Sequence, residues 1–90
     1  MNKDRRKALD ELAKQIAELR DQASTLKDEI ENLRDEEQDY LDVMPESMQE
    51  GEKGETAQAA IDEMDEAISA VDEVLDQLDT AVQHLENAQA

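Results

Sequence analysis

The side chains of this chain with the most chemical potential are its carboxylates. Four of them have the spacing of positions 1, 3, 5 and 12 in a helix–loop–helix calcium site: Asp35, Glu37, Asp39 and Glu46. The sixth position of such a loop needs glycine for its sharp turn, and this chain has Tyr40 there. We therefore expect no calcium loop, no resident metal and no cofactor.

The remaining reactive side chains are too sparse for catalysis. The chain has no cysteine and a single histidine, His84, which falls on the outer face of a predicted helix. Residue 81 is alanine, so the Glu-x-x-His pattern of di-iron bundles is missing. No nucleophile has a base at a suitable spacing. The sequence predicts that this protein is not an enzyme.

A heptad pattern predicts one long helix over about residues 3–44. Apolar residues recur in steps of three and four, as in a coiled coil. With Leu9 as heptad position a, the predicted seam occupies positions a and d: Leu9, Leu12, Ile16, Leu19, Ala23, Leu26, Ile30, Leu33, Glu37, Tyr40 and Met44. Glu37 is the one charged residue on this seam. Either its side chain reaches water near the helix end, or it sets the register.

The pattern resumes in a second predicted helix over about residues 55–88. Its a and d positions hold Ile, Leu, Val, Met and Ala throughout: Ala57, Ile61, Met64, Ile68, Val71, Leu75, Leu78, Val82 and Leu85. Between the helices, Pro45, Gly51 and Gly54 indicate a turn over about residues 45–54.

Charges beside the two seams indicate how the helices pair. Position e is basic on the first helix and acidic on the second, and e residues face each other in an antiparallel pair. If facing seam residues have numbers that sum to 101, as Ile30 and Val71 do, three oppositely charged pairs lie near each other: Arg34 with Asp65, Lys27 with Asp72, and Arg20 with Asp79. The predicted fold is therefore all-α, a single antiparallel two-helix coiled-coil hairpin over residues 1–90.

Position g of the second helix carries small apolar residues, which a two-helix hairpin would leave in water: Ala60, Ala67, Val74, Ala81 and Ala88. This stripe predicts a second helix contact, most simply a homodimer that forms a four-helix bundle. One alternative is that alanine only promotes helix. Another is a parallel coiled-coil dimer of the first helix, which Ile at a and Leu at d also favour.

The overall charge limits the choice of partners. Nine basic residues against 26 acidic ones give a net charge of −17. Such a chain repels phosphate and anionic lipid, so we expect neither nucleic acid nor a membrane to bind it directly. A protein with a basic surface is the expected partner. No apolar run resembles a signal peptide or a membrane span, so the expected location is cytoplasmic.

Residues 35–73 resemble a known family. The resemblance rests on the stretch DEEQDYLDVMPESMQEGEKGETAQAAIDEMDEAISAVDE and on the opening Arg5-Arg6-Lys7 before Leu9. It is similar to a family of small acidic coiled-coil proteins encoded in tailed-phage and prophage genomes, mostly of unassigned function. The family pattern has Asn where this chain has Val43. The resemblance implies that the chain is encoded by a phage and acts in the cytoplasm of the host.

Two functions fit these observations. The first is a phage-encoded inhibitor that mimics DNA toward a host nucleic-acid-processing or defence protein. The second is a structural or assembly coiled-coil module, for which acidity serves only solubility; regulators of transcription or of a toxin are further options. For the first, the predicted partner-binding residues surround the turn: Asp35, Glu36, Asp39, Tyr40, Asp42, Met44, Glu46, Glu50 and Glu52.

Overall fold

The structure, a computed structural model, describes all 90 residues as three helices without a strand. Helix α1 is Lys3–Asp42, α2 is Glu46–Gln49 and α3 is Glu52–Ala88. Helix accounts for 90% of the chain, which confirms the all-helical prediction. The long helices match the predicted bounds within three residues at each end. The short helix α2 lies inside the predicted turn.

Local chemistry explains where α1 begins and where α2 starts. The Asn2 side chain accepts a hydrogen bond of 2.8 Å from the Arg5 backbone amide and so caps the N-terminus of α1. Pro45 precedes α2, where its missing amide hydrogen leaves no helical hydrogen bond unmade. Met48 and Gln49 donate their backbone amides to the Pro45 carbonyl.

The chain forms two compact units, residues 26–70 and residues 1–25 with 71–90. In the first, Ile61 and Ile68 of α3 are buried, and Arg34 pairs with Asp65 at 3.0 Å. In the second, Leu75 of α3 is buried, and an ion pair of 3.0 Å joins Arg20 and Asp79. Both ion pairs join e positions, in agreement with the antiparallel hairpin.

The predicted seam of α1 was wrong at every d position. Leu12, Leu19, Leu26, Leu33 and Tyr40 are between 48 and 58% exposed. The inward face of α1 instead consists of positions a and e. For example, Ala13 at e is buried, whereas Leu12 beside it is not.

The e-position charges explain this rotation of α1. Arg20 and Arg34 are only partly exposed, because their aliphatic stems lie over the interface while their guanidinium groups reach the α3 carboxylates. A helix with a single neighbour buries only a narrow face. Turning position e toward α3 therefore turns position d toward solvent.

The turn is an ordered structure rather than an open loop. The Gln49 side-chain amide donates hydrogen bonds to the backbone carbonyls of Leu41 and Met44, each at 3.1 Å. The last carbonyls of a helix have no donor partner within the helix itself, so these bonds satisfy groups at and just after the end of α1. Met44 is buried beside these bonds, at 7% exposure. Gly54 lies within α3, not in a loop, and a β-carbon there would overlap the Gln49 backbone. Glycine is needed at position 54 because the two backbones approach closely there. An unusual backbone conformation is not the reason, since no glycine has a positive φ.

Candidate protein-interaction surfaces

The first candidate surface is the acidic turn, which we define as the carboxylates that surround α2. All seven are exposed: Asp35, Glu36, Asp39, Asp42, Glu46, Glu50 and Glu52. They belong to one compact unit, residues 26–70. Four of them lie on the last part of α1, and the other three lie in α2 or on either side of the bend to α3.

Few of these carboxylates have a partner within the chain. Asp35 contacts Arg34 at 3.0 Å, and Asp42 accepts a hydrogen bond of 2.9 Å from Gln38. The last turn of α1 contains no basic residue, although a cation there would favour the helix dipole. The acidic turn therefore has a large negative charge that the chain itself leaves mostly uncompensated.

The two apolar residues predicted beside these acids differ in availability. Tyr40 is 48% exposed and lines a shallow cleft with Glu52, Lys53 and Thr56. Met44 is buried, so it cannot serve as an exposed anchor as predicted. Its side chain stabilises the turn instead. Of the predicted contact residues, only Tyr40 offers apolar surface near the acidic turn.

The second candidate surface was missed by the sequence reasoning. It is the leucine stripe, defined as Leu12, Leu19, Leu26, Leu33 and Tyr40, one residue per heptad on a single line of α1. Isolated exposed leucines are ordinary on protein surfaces, whereas a contiguous exposed apolar line marks an interaction site. The signal in the sequence was the basic e position, which favours an a/e interface with α3 over an a/d interface.

The alanine stripe predicted at position g of α3 is also accessible to solvent. Val74 is 48% exposed, Ala67 and Ala88 are exposed, and Ala60 and Ala81 are half-buried. This stripe and the leucine stripe lie on the same side of the helix pair within each unit. The reason is geometric: the ion-paired e positions mark one side, so d of α1 and g of α3 fall on the opposite side.

Exposure rises steadily toward this side. On α1, Ala13 at e is buried, Ile16 at a is half-buried, and Leu19 at d is 53% exposed. On α3, Leu75 at a is buried and Val74 at g is exposed. Within this unit, one apolar side of the helix pair is therefore open to solvent.

The titratable groups with shifted pKa values lie outside both surfaces. Hydrogen bonds to Asp65 and then Asp35 raise the pKa of Arg34, and the hydrogen bond to Asp10 raises the pKa of Lys14. No group of three or more histidine or acidic side chains is arranged to hold a metal ion. Neither long helix has a stretch apolar enough to cross a membrane.

Comparison with known proteins adds no assignment. No protein-family model, no curated protein and no solved structure matches this chain. The resemblance to the phage-encoded family stays a prediction.

Proposed function

We propose that this chain is a non-catalytic interaction protein whose acidic turn docks on the basic cleft of another protein. The partner is a nucleic-acid-processing or defence protein of a phage host, which the acidic turn inhibits by occupying the site of DNA phosphates. The observation that supports this proposal is the exposure of all seven carboxylates of the acidic turn. Asp35 alone among them contacts a basic side chain.

Electrostatics favour a basic cleft as the partner. Residues 35–52 contain eight carboxylates and no basic residue. A cleft lined by Lys and Arg attracts such a segment over a distance and raises the association rate. The affinity must fall as salt screens the charges, with a Debye length of about 8 Å at physiological ionic strength. Tyr40, half-exposed beside the acids, supplies an aromatic contact of the kind that dominates protein interfaces.

The position of these acids opposes helix stability, so solubility alone is a weak explanation for them. Asp39 and Asp42 lie in the last turn of α1, where a negative charge opposes the helix dipole by about 0.3–1 kcal/mol at low salt. Acids spread evenly over the surface would keep the protein soluble without this penalty. A role in binding explains their concentration at the turn.

Two variants of equal net charge test the proposal. The first neutralises the acidic turn with Asp35→Asn, Asp39→Asn, Asp42→Asn and Glu46→Gln. The control removes four exposed carboxylates elsewhere, with Asp21→Asn, Asp62→Asn, Asp76→Asn and Glu66→Gln. Each protein is used as bait for a bacterial lysate, and bound DNA-binding proteins are eluted with increasing salt and assayed with and without competing duplex DNA.

The proposal predicts that the unmodified chain and the control capture the same DNA-binding proteins and that duplex DNA displaces them. The neutralised acidic turn should capture none. Equal capture by the two variants, or capture that neither salt nor DNA reduces, would contradict docking through the acidic turn.

A second function is favoured by the exposed leucine stripe. In this proposal the chain is an assembly module that forms a homodimeric four-helix bundle, with the alanine stripe in the interface. Half-exposed leucines along 40 residues of helix support it, because monomers rarely expose so long an apolar line. The two functions use different residues except for Tyr40, which belongs to the leucine stripe and also supplies the aromatic contact beside the acidic turn.

A further inference from the structure

We infer that the leucine stripe of α1 binds the leucine stripe of a second copy of this chain in antiparallel orientation, with a two-fold axis at Leu26. This inference rests on the homodimer proposed above. It identifies the interface helix and the orientation, and it is independent of docking by the acidic turn.

The two stripes themselves contain no charged residue. Charged residues make up 39% of the chain, yet none occurs at the ten positions of the leucine and alanine stripes. A stripe without charge is the one along which two chains of net charge −17 can approach with the least repulsion.

The accessible area also suits a dimer. The chain exposes 6602 Å² at a mass of 10.2 kDa. A compact monomer of that mass exposes about 5300 Å². A standard interface buries roughly 800 Å² on each partner, which is within this excess. Association through the open apolar face would therefore give the chain the burial usual for its mass.

The leucine stripe is symmetric about its middle residue. In an antiparallel pair centred on Leu26, residue numbers of the two copies sum to 52. Leu26 then faces its own counterpart, Leu19 faces Leu33 of the second copy, and Leu12 faces Tyr40 of the second copy. Every layer along the stripe contains two large apolar side chains.

The residues that flank the stripe select the antiparallel orientation. Position g of α1 holds Gln15, Gln22, Glu29 and Glu36. In the antiparallel pair, Gln22 faces Glu29 of the second copy and Gln15 faces Glu36 of the second copy, so each contact joins an amide donor to a carboxylate. In a parallel pair position g would instead face position a of the second copy, so Gln22 and Glu29 would lie against the apolar residues Ala23 and Ile30.

The ends of the stripe are complementary in charge as well. One heptad before Leu12 the same line holds Arg5, next to Arg6 and Lys7. The antiparallel pair extends this basic first turn of α1 past the Asp42 end of α1 in the second copy, toward its acidic turn. Any arrangement that aligns the two acidic turns side by side would instead bring together two segments of eight carboxylates each.

The alanine stripe obeys the same symmetry. Its middle residue is Val74, and in the predicted hairpin register, with numbers that sum to 101, Val74 is within one residue of the level of Leu26. Around an axis at Val74, Ala67 faces Ala81 of the second copy. On the flanking line, Glu63 faces His84 of the second copy, again a complementary pair.

Engineered cysteines test the orientation, because the chain has none of its own. Under oxidation, Leu26→Cys should form a disulfide-linked dimer, since the two-fold axis brings both copies of residue 26 together. Leu12→Cys should not, because its two copies would be about 42 Å apart along the helices at 1.5 Å per residue. The double variant Leu12→Cys with Tyr40→Cys should cross-link. Non-reducing electrophoresis and mass spectrometry identify the products.

Sedimentation of two further variants tests the interface itself. Leu19→Glu with Leu33→Glu should convert a dimer to a monomer and leave its helical circular dichroism unchanged. Ala17→Glu with Thr80→Glu adds the same charge at exposed positions off the face and should stay dimeric.

The outcomes separate the alternatives. Cross-linking of Leu12→Cys as fast as Leu26→Cys would overturn the antiparallel orientation in favour of a parallel pair. A dimer in which Leu26→Cys stays unlinked would overturn this interface while retaining the proposed homodimer. A monomer at about 100 µM, well above the Kd of a typical specific complex, would overturn both and leave docking of the acidic turn unaffected.

Discussion

Helices α1 and α3 carry nearly the same heptad pattern, yet they bury different parts of it. On α3 the a residues Ile61, Ile68 and Leu75 are 4–7% exposed. On α1 the d residues are about half exposed, although leucine is as apolar as isoleucine. The difference lies beside the apolar residues, in the charges at position e.

A repeated apolar pattern thus predicts a helix, but it does not determine which face of the helix turns toward its neighbour. Position e of α1 contains Arg20 and Arg34, whose partners are Asp79 and Asp65 on α3. Their ion pairs and the burial of Ala13 turn α1 so that its a/e face meets α3. The displaced leucines form a new surface. A helix pair can thus acquire an interaction face from charges located on its other side.

The largest effect expected from this comparison concerns one buried and one exposed position in the same unit. Ile68→Ala should lower the free energy of unfolding by about 2–5 kcal/mol, because it leaves a cavity in a buried site. Leu33→Ala should change it by less than about 1 kcal/mol in dilute protein, since Leu33 is 58% exposed and alanine favours helix. Urea unfolding at low micromolar concentration measures both values.

Repeating the measurement at several protein concentrations extends this test. If the leucine stripe binds a second copy, the effect of Leu33→Ala should grow as the protein concentration rises, while that of Ile68→Ala is already large in dilute protein. Equal losses for both variants in dilute protein would mean that α1 does not expose its d positions.

A smaller effect distinguishes the two glycines near the start of α3. Gly54→Ala should destabilise the protein by about 1–3 kcal/mol, because its β-carbon would overlap the Gln49 backbone. Gly51→Ala should be neutral or stabilising by up to about 1 kcal/mol. Its β-carbon would lie 3.5 Å from the Ser47 carbonyl oxygen, an ordinary contact, and its φ is not positive.

Thermal unfolding of the two glycine variants measures their melting temperatures, with Gly51→Ala as the matched control. Similar melting temperatures would indicate that α2 moves away from α3 at little expense in free energy. In that case the acidic turn would be less rigid than the hydrogen bonds of Gln49 indicate.

The smallest effect concerns the charges held responsible for the rotation of α1. Arg20→Glu and Asp79→Arg should each destabilise slightly, and the double variant should recover about 0.2–1 kcal/mol, as exposed ion pairs do. The recovery should fade in 1 M salt. A double-mutant cycle in urea measures it, and purely additive losses would argue against this pair as a determinant of the rotation.

Much of the fold follows from local sequence features. The steps of three and four residues, Pro45 and the opposite charges at e determine two long helices, a turn and their antiparallel pairing. The side chains Arg20 and Arg34 meet the partners that the heptad register assigns to them. These features depend on periodicity and charge, which a sequence displays directly.

Other features depend on packing in three dimensions and could not be read in this way. The burial of Met44 and the close approach at Gly54 both arise from α2, a four-residue helix with no period of its own. The exposure of Leu26 depends on a balance between leucine burial and arginine pairing. The heptad pattern does not give the free energies of these two contributions, so it does not predict which of them prevails. The acidic cluster was evident in the sequence. Of the two apolar residues predicted to contact a partner beside it, Tyr40 is exposed and Met44 is buried.

The hydrogen bonds of Gln49 also bear on how the chain folds. They join residues five and eight positions apart, so they form with little loss of loop entropy. The ion pairs of the helices span 31 residues for Arg34–Asp65 and 59 for Arg20–Asp79. We therefore expect the turn to nucleate folding and the helices to zip from it toward the chain ends. In the native state the order reverses, and amide hydrogens near the termini should exchange with solvent first.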